Sequence, residues 1–384
     1  MPSLKWSQVR AYRLRRSQLH ARAPKRDLER VVSDMCGVQA QLRNAAEIAL
    51  WTRLEGIRQG DLDKFLFRDK SIFKTWSMRG TLHLLASSEF PMYSSGLRTR
   101  TGYRKGAWLR YFGVTLEEIE MLTRSIGRAL SEAPLTRKEL VMKVTGDVAR
   151  IPKGISYNNL RMSVGSHRLF SSWGEFLKPA AYNGLLAFGP VTDGEATFVR
   201  ADKWLGAEMD QDSSESMKEI VRKYLSSYGP AKPEDFARWW GTQPAAAKRL
   251  LNTIQEELLE VDVEGHNSWI TKQGYEDLRE VVPETVVRLL PNFDSYVLGF
   301  HPRSGFVLDE RLNLVFRPQG WISPVLLVDG KIGGIWESPV RQGKGELRVR
   351  LFQKLTKNQE ELLRDEVRLI GDYYGCRLTP ILAQ

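Results

Sequence analysis

The chain has little of what most catalytic centres are built from. Its 384 residues include two cysteines, Cys36 and Cys376, and five histidines, His20, His83, His167, His266 and His301. No CxxC and no Cys/His cluster occurs, which argues against a disulfide framework and against a zinc site. The histidines are scattered without ligand spacing. GxxxxGKS/T is absent, so there is no P-loop signal. HExxH, GxSxG and GxGxxG are absent as well, which removes the commonest marks of zinc peptidases, serine hydrolases and dinucleotide enzymes. No apolar run approaches the ~20 residues of a membrane helix. The opening MPSLKWSQVRAYRLRRSQ lacks the apolar centre of a secretory signal. The expectation is a cytoplasmic protein with no membrane, metal or cofactor partner.

What is present is positive charge, and it is local. The chain holds 57 Lys/Arg against 46 Asp/Glu, +11 in all, yet residues 1–110 alone hold 22 against 9, a balance of +13. The other residues therefore sum to −2. A basic first third with a near-neutral remainder points to one polyanion-binding face. A solvated basic surface is the plainer reading of the same charges.

One plan repeats three times along the chain. The first copy is WSQVRAYRLRRSQL, DLERVVSDM, NAAEIALWTRL and IFKTWSMRGTLHLLA. Leu28, Val31, Val32 and Met35 form the apolar stripe of its middle helix, which Gly37 closes as a left-handed cap. Asn44 is the expected N-cap of the next helix, and Arg79-Gly80 the turn of a hairpin. The second copy begins at TLEEIEMLTRSIGRALSEA. It continues with LTRKELVMKV, capped by Thr136 with Glu139 in a capping box, then with ISYNNLRMSVGSHRLFSSWGEF. LLAFGP and ATFVRADKW about VTDGE form its hairpin. The third copy is SMKEIVRKYLSSYG, KPEDFARWWG, PAAAKRLLNTIQEEL and the hairpin EVDVEGHNSWIT. Trp76, Trp239 and Trp240 are expected in the core.

Helix, short helix, turn, helix and hairpin is the winged helix-turn-helix plan, a common means of placing a helix in a DNA groove. After about residue 284 the runs VVRLLPNFDSYVLGF, RLNLVFRP, SPVLLVDGKIGGIWE and ELRVRLFQ are strand-like, with Asp329-Gly330 as a tight turn. TKNQEELLRDEVRLIGDYYG then predicts a terminal helix capped by Thr356. The expected fold class is α+β: three tandem winged helix-turn-helix units over residues 1–110, 111–205 and 206–283, then a small β-barrel with a terminal helix over 284–384.

Between the second and third helical patterns of the first copy stands GVQAQLRNAAEIALW. Gln39 and Gln41 flank Ala40 there. Glutamine is neither nucleophile nor strong base, and two polar residues satisfying backbone groups in a turn are the ordinary reading.

GVQAQ, the wing TWSMRGTLHLLA, and LLPNFDSYVLGF followed by PVLLVDGKIGGIWE resemble, in that order, the winged-helix DNA glycosylases of the AlkZ type. The resemblance covers nearly the whole chain. Its sharpest element is the Gln-apolar-Gln triplet, and Gln41 separates this chain from the AlkX-type branch, which carries Asp there. The resemblance implies a monofunctional enzyme that removes alkylated purines, mainly N7-alkylguanine adducts, from double-stranded DNA and can unhook interstrand crosslinks. It implies three winged helices and a barrel around the DNA, and catalytic roles for Gln39 and Gln41. It needs no cofactor. The enzyme is expected as a monomer, nucleoid-associated in a bacterium.

As DNA-binding candidates the chain offers Arg43, a phosphate contact or a surface charge; Arg79 at the wing turn; and His83, a partner of the glutamines or a core histidine. His301 and Arg303 join them from YVLGFHPRSGF, the expected DNA-probing hairpin. That segment departs from relatives that read more like YLLGHRDR. A narrower version of the same activity would protect a producing cell from its own DNA-alkylating product. The alternative from a different class is a non-enzymatic winged-helix DNA-binding protein, such as a transcriptional regulator.

Overall fold

A computed structural model describes residues 1–148, 174–208, 211–307, 309–338, 340–341 and 344–383. Nearly all of the helical stretch expected for ISYNNLRMSVGSHRLFSSWGEF, His167 included, lies outside the described residues. The chain falls into two units, Met1–Leu62 with Val221–Gln384, and Asp63–Ile220. Secondary structure is mixed α and β in each. No helix among the described residues is long and apolar enough to cross a membrane.

The first unit is organised about the helix Trp6–Arg16. Val9 and Tyr12 pack with Val261, Val263, Ile270 and Leu278. Leu14 joins a second core made by Leu290, Tyr296, Phe300, Val325 and Leu327. The third helix–hairpin copy follows its expected order: helices Pro233–Trp240 and Pro244–Asn252, then strands Leu258–Val263 and His266–Thr271. Ser3–Leu4 adds a parallel third strand, Leu4 opposite Val263. Trp239 and Trp240 are buried, as expected, Trp239 against the rings of Tyr224, Phe236 and Trp240.

The C-terminal strands form one six-stranded sheet. Val287–Leu290, Val325–Val328, Lys331–Glu337 and Lys344–Leu351 run antiparallel in that order, and Arg377–Ala383 lies parallel to Lys344–Leu351. The helix Lys357–Tyr374 opens on the expected cap, where Thr356 Oγ1 accepts from Gln359 N at 3.3 Å and Gln359 Oε1 accepts from Thr356 N at 3.0 Å.

Two expected pieces of this region are differently built. RLNLVFRP is not a strand: Leu312–Val315 is a turn of helix, which puts Leu312, Val315 and Phe316 on one side against the core. YVLGFHPRSGF is not a hairpin. It is the helix Ser295–Gly299 followed by the turn Arg303–Gly305. Asp294 caps that helix, and Tyr296 and Phe300, one helical turn apart, are buried. A short apolar run carries both periods, and the cap decides for helix.

In the second unit the strands Ile72–Trp76 and Leu82–Ala86 pair antiparallel, Trp76 opposite Leu82, so the hairpin turns at Arg79-Gly80 as expected. Trp76 is core, with ring centroids 5.3 Å from Phe188 and 6.4 Å from Phe198. Thr136 and Glu139 form the expected capping box of the helix Arg137–Val148. Strands Ala187–Thr192 and Glu195–Val199 make the next hairpin. Its turn Asp193-Gly194 shares one conformation with Glu264-Gly265 and Asp329-Gly330, both residues having positive φ in each case. That is the type I′ geometry, whose twist suits a two-residue hairpin, and glycine accepts the second position without strain.

Candidate active site

Helix Leu28–Asp34 ends in a Schellman motif. Gly37 N donates to Val32 O at 3.0 Å and Cys36 N to Ser33 O at 2.9 Å. The left-handed position is therefore Cys36, with φ 52, and Gly37 follows it with φ 95. The expected glycine cap is displaced by one residue. A cysteine in this conformation is uncommon, and its side chain is fixed: Sγ–H donates to Ser227 Oγ at 3.3 Å.

The carbonyls of this loop are held from elsewhere in the same unit. Ser227 Oγ donates to Asp34 O at 2.6 Å, Tyr228 OH to Met35 O at 2.6 Å, and Ser295 Oγ to Gly37 O at 2.9 Å. Gly299 leaves room for the Tyr228 ring, since a Cβ there would lie 2.3 Å from it. Buried carbonyls that leave water need such donors. The chain then runs extended through Val38 and Gln39. Val38, Gln39 and Ala40 are buried, Gln39 being 7% exposed, and Gln41 is half-buried.

Downstream, the helix is Arg43–Trp51, and its N-cap is Leu42 rather than Asn44. Leu42 has extended backbone and no capping side chain, while the Asn44 side chain is bonded to Tyr374 instead. Glu47 is hydrogen-bonded by Tyr373, and Arg43 Nε donates to Glu47 Oε1 at 2.9 Å. Burial raises the pKa of both tyrosines; Tyr373 donates to Glu47, which raises its pKa further, whereas Tyr374 accepts from the Asn44 amide. Just past this helix, Arg53 and Asp294 make a fully buried bidentate pair at 2.7 and 2.8 Å. Arg53 also donates to Ser17 O and Ala49 O, and Asp294 accepts from Tyr296 N. The Gln-Ala-Gln triplet thus sits between a loop held by three hydroxyls and a helix tied by two tyrosines and an ion pair.

The remaining candidates fall into two groups. His301 is half-buried and Arg303 exposed, its guanidinium 3.6 Å over the Phe316 ring. Burial, with Arg238, Arg303 and Arg13 adding to it against Asp235, lowers the His301 pKa to about 4. Arg79 and His83 come together in the second unit. His83 is buried, its Nδ1–H donates to Thr81 O at 3.0 Å, and Nε2 accepts from Arg79 Nη2 at 3.4 Å. Burial, then Arg79, lowers the His83 pKa to about 3, so the ring is neutral.

Sequence reasoning did not name Ser227, Tyr228, Ser295, Tyr373 or Asp294 as partners of the triplet. Two of them stand in the block LLPNFDSYVLGF, one of the stretches that carry the resemblance: its Asp294 pairs with Arg53 and its Ser295 grips Gly37.

Comparison with known proteins identifies the family. A family described as DNA glycosylase AlkZ-like matches residues 32–373, from the Schellman carbonyl of Val32 to Tyr373. The chain belongs to the AlkZ-like DNA glycosylase family. It is 35% identical over 338 residues to an interstrand DNA cross-link repair glycosylase of Streptomyces sahachiroi, covering 86% of this chain and 87% of that one. It also resembles the solved structure of the Streptomyces sahachiroi DNA glycosylase AlkZ, with a TM-score of 0.87 and 32% identity over the whole of both chains. This AlkZ-like chain is therefore a DNA glycosylase of α+β fold, and DNA is its substrate.

Proposed function

We propose that the enzyme hydrolyses the N-glycosidic bond of alkylated purines in double-stranded DNA, N7-alkylguanine above all. In this reading it unhooks interstrand crosslinks, the name of its Streptomyces relative being that of an interstrand DNA cross-link repair glycosylase, and Gln39 and Gln41 position the attacking water. The single observation that carries the proposal is the hold on the Gly37 loop by Ser227, Tyr228 and Ser295. A water is presented in line only by groups that are themselves fixed, and such positioning supplies several kcal/mol.

Alkylation at N7 makes guanine cationic, so it departs neutral and needs no strong acid. The barrier is the oxocarbenium-like sugar and the delivery of water. An amide binds water through both its carbonyl oxygen and its NH₂ group without setting a full negative charge beside it. Low basicity is the cost, so uncharged, stable lesions are poor substrates. With no lysine in GVQAQLRNAAE, the product is an abasic site without strand cleavage. In the same proposal the helix–hairpin copies act as three winged helices, the C-terminal sheet as a small barrel, and the chain as a monomer. Arg43, Arg79, His301 and Arg303 serve the DNA backbone, with His83 setting Arg79.

The test is single-turnover release of N7-methylguanine beside a DNA-binding titration. Gln39→Ala and Gln41→Ala each slow release roughly 30- to 1000-fold, for a loss of about 2–4 kcal/mol of transition-state stabilisation, with affinity nearly intact. The double variant is less than additive, because both amides hold one water. Folded variants that excise at the parental rate would show the pair to be only a turn.

A further inference from the structure

We infer that the cleft on the C-terminal sheet is a subsite for one unstacked nucleotide of a DNA strand, its base on Trp321 and its phosphates on Arg317 and Arg350. The inference rests on DNA being the substrate and is independent of what Gln39 and Gln41 do.

The cleft has a volume of about 580 Å³, and Asn292, Arg317, Trp321, Ser323, Trp336 and Arg350 are among its lining residues. That size suits a nucleotide-sized ligand. Trp336 is buried and anchored, its Nε1 donating to Leu290 O at 2.9 Å. Trp321 is 40% exposed. It is nevertheless held: its ring meets Phe293 edge-on at 5.1 Å, and Arg317 N donates to its carbonyl at 2.8 Å across the turn Pro318–Gly320. A large aromatic ring fixed in solvent loses little freedom when a base stacks on it.

Three arginines and one carboxylate, Glu337, line the cleft, so its net charge is of the matching sign. Arg317 and Arg350 are exposed and have no acidic partner among the described residues. Arg348, which also lines the cleft, is bonded to Glu346 at 2.8 Å and lies 3.9 Å from Glu337, so Arg317 and Arg350 are the cations left for a phosphodiester. The wall is rigid where it meets the rest of the unit. Asn292 Nδ2 donates to Ile322 O at 2.9 Å, and the same short segment continues through Asp294 and Ser295 to the hold on Gly37. An aromatic platform with unpaired arginines is the usual device for single-stranded nucleic acid, and every base presents a face to it.

The experiment compares binding of the full chain to a labelled five-nucleotide oligothymidine and to the same backbone carrying abasic sites. Trp321→Ala lowers affinity for the oligothymidine roughly 5- to 100-fold and leaves affinity for the abasic strand unchanged. Trp321→Phe, which keeps a stacking face and the contact with Phe293, retains most of the preference. Arg317→Glu with Arg350→Glu weakens both strands and reduces the salt slope by about one to two counterions. Gln39→Ala keeps the base preference, so failure of the water-positioning reading leaves this result standing. If Trp321→Ala, with parental circular dichroism, binds both oligonucleotides as the parent does, the subsite is wrong. Equal competition by free thymidine monophosphate, nucleotide for nucleotide, would overturn the assignment to a strand.

Discussion

The loop that carries Gln39 and the turn that carries Arg79 solve the same problem in opposite ways. Each must satisfy backbone groups where the chain reverses. The loop does it with hydroxyls from distant sequence, Ser227, Tyr228 and Ser295. The turn does it from within: Ser77 N bonds Thr81 O, Gly80 N bonds Ser77 O, Thr81 N bonds Met78 O, and the His83 ring closes on Thr81 O. Arg79 sits there at φ 57, a left-handed conformation that its own hairpin enforces. The geometry of the glutamines is thus a property of their whole unit, and that of Arg79 a property of a few residues. Damage far away in the first unit therefore reaches the glutamines, whereas the backbone bonds of the turn are made within residues 77–81.

The largest effect expected from this contrast is at Asp294. Asp294→Ala leaves Arg53 charged and buried without its carboxylate, at a cost of about 3–5 kcal/mol. It also removes the cap of the helix Ser295–Gly299, and with it the placement of Ser295. Hydrogen exchange followed by mass spectrometry should show lost protection over residues 34–54 and 294–300 and parental protection over the turn residues 77–81. Equal loss in the turn at 77–81 would break the comparison.

The same contrast explains what was legible in the sequence. Hairpins at Asp193-Gly194, Glu264-Gly265 and Asp329-Gly330, the capping boxes at Thr136 and Thr356, and the Arg79-Gly80 turn are all written in neighbouring residues. The helix at Ser295–Gly299 was missed because its cap, Asp294, reads equally well as a residue of a strand-like run until Arg53 is seen to bind it. Asn44 has the local signature of a cap because the demand of Tyr374 on its side chain comes from the far end of the chain. The triplet itself was found by resemblance. What fixes it is three side chains whose sequence separation from the loop no local pattern spans.

An intermediate effect is expected at His83, and it sharpens the comparison by being local. Folding lowers its pKa from 6.5 to about 3. The neutral ring is then the form the fold selects, and its contribution is complete above pH 6.5. As pH falls toward 3 the unfolded chain takes a proton that the folded chain refuses, and stability declines by up to about 1.4 kcal/mol per pH unit. Between pH 7.5 and 5 that is a loss of about 2 kcal/mol. In His83→Asn, whose amide can still donate to Thr81 O, the part of the decline owed to His83 disappears. Exchange rates in residues 72–86, measured at both pH values, read the difference; a parental decline in the variant would place the titration elsewhere.

The smallest effect is also the most direct probe of the loop. Ser295→Ala removes one hydroxyl that donates to Gly37 O, and Tyr228→Phe removes one that donates to Met35 O. Each leaves a buried carbonyl short of a partner, worth about 1 kcal/mol and up to about 3 where water cannot enter. Neither side chain is needed to contact DNA in the proposed mechanism, so binding should stay parental. The base-release rate should fall about 3- to 10-fold, as expected when a positioning group is allowed to drift and about 1 kcal/mol of the barrier reduction is lost. The two substitutions act on one loop and should combine less than additively, while either one combined with Arg79→Ala should be additive in free energy. Arg79→Ala alone should weaken DNA binding more than it slows release. A single-turnover series over these seven proteins, the parent included, decides the matter. If Ser295→Ala and Tyr228→Phe lose stability yet release base at the parental rate, the clamp holds the fold together and the glutamines need no such support.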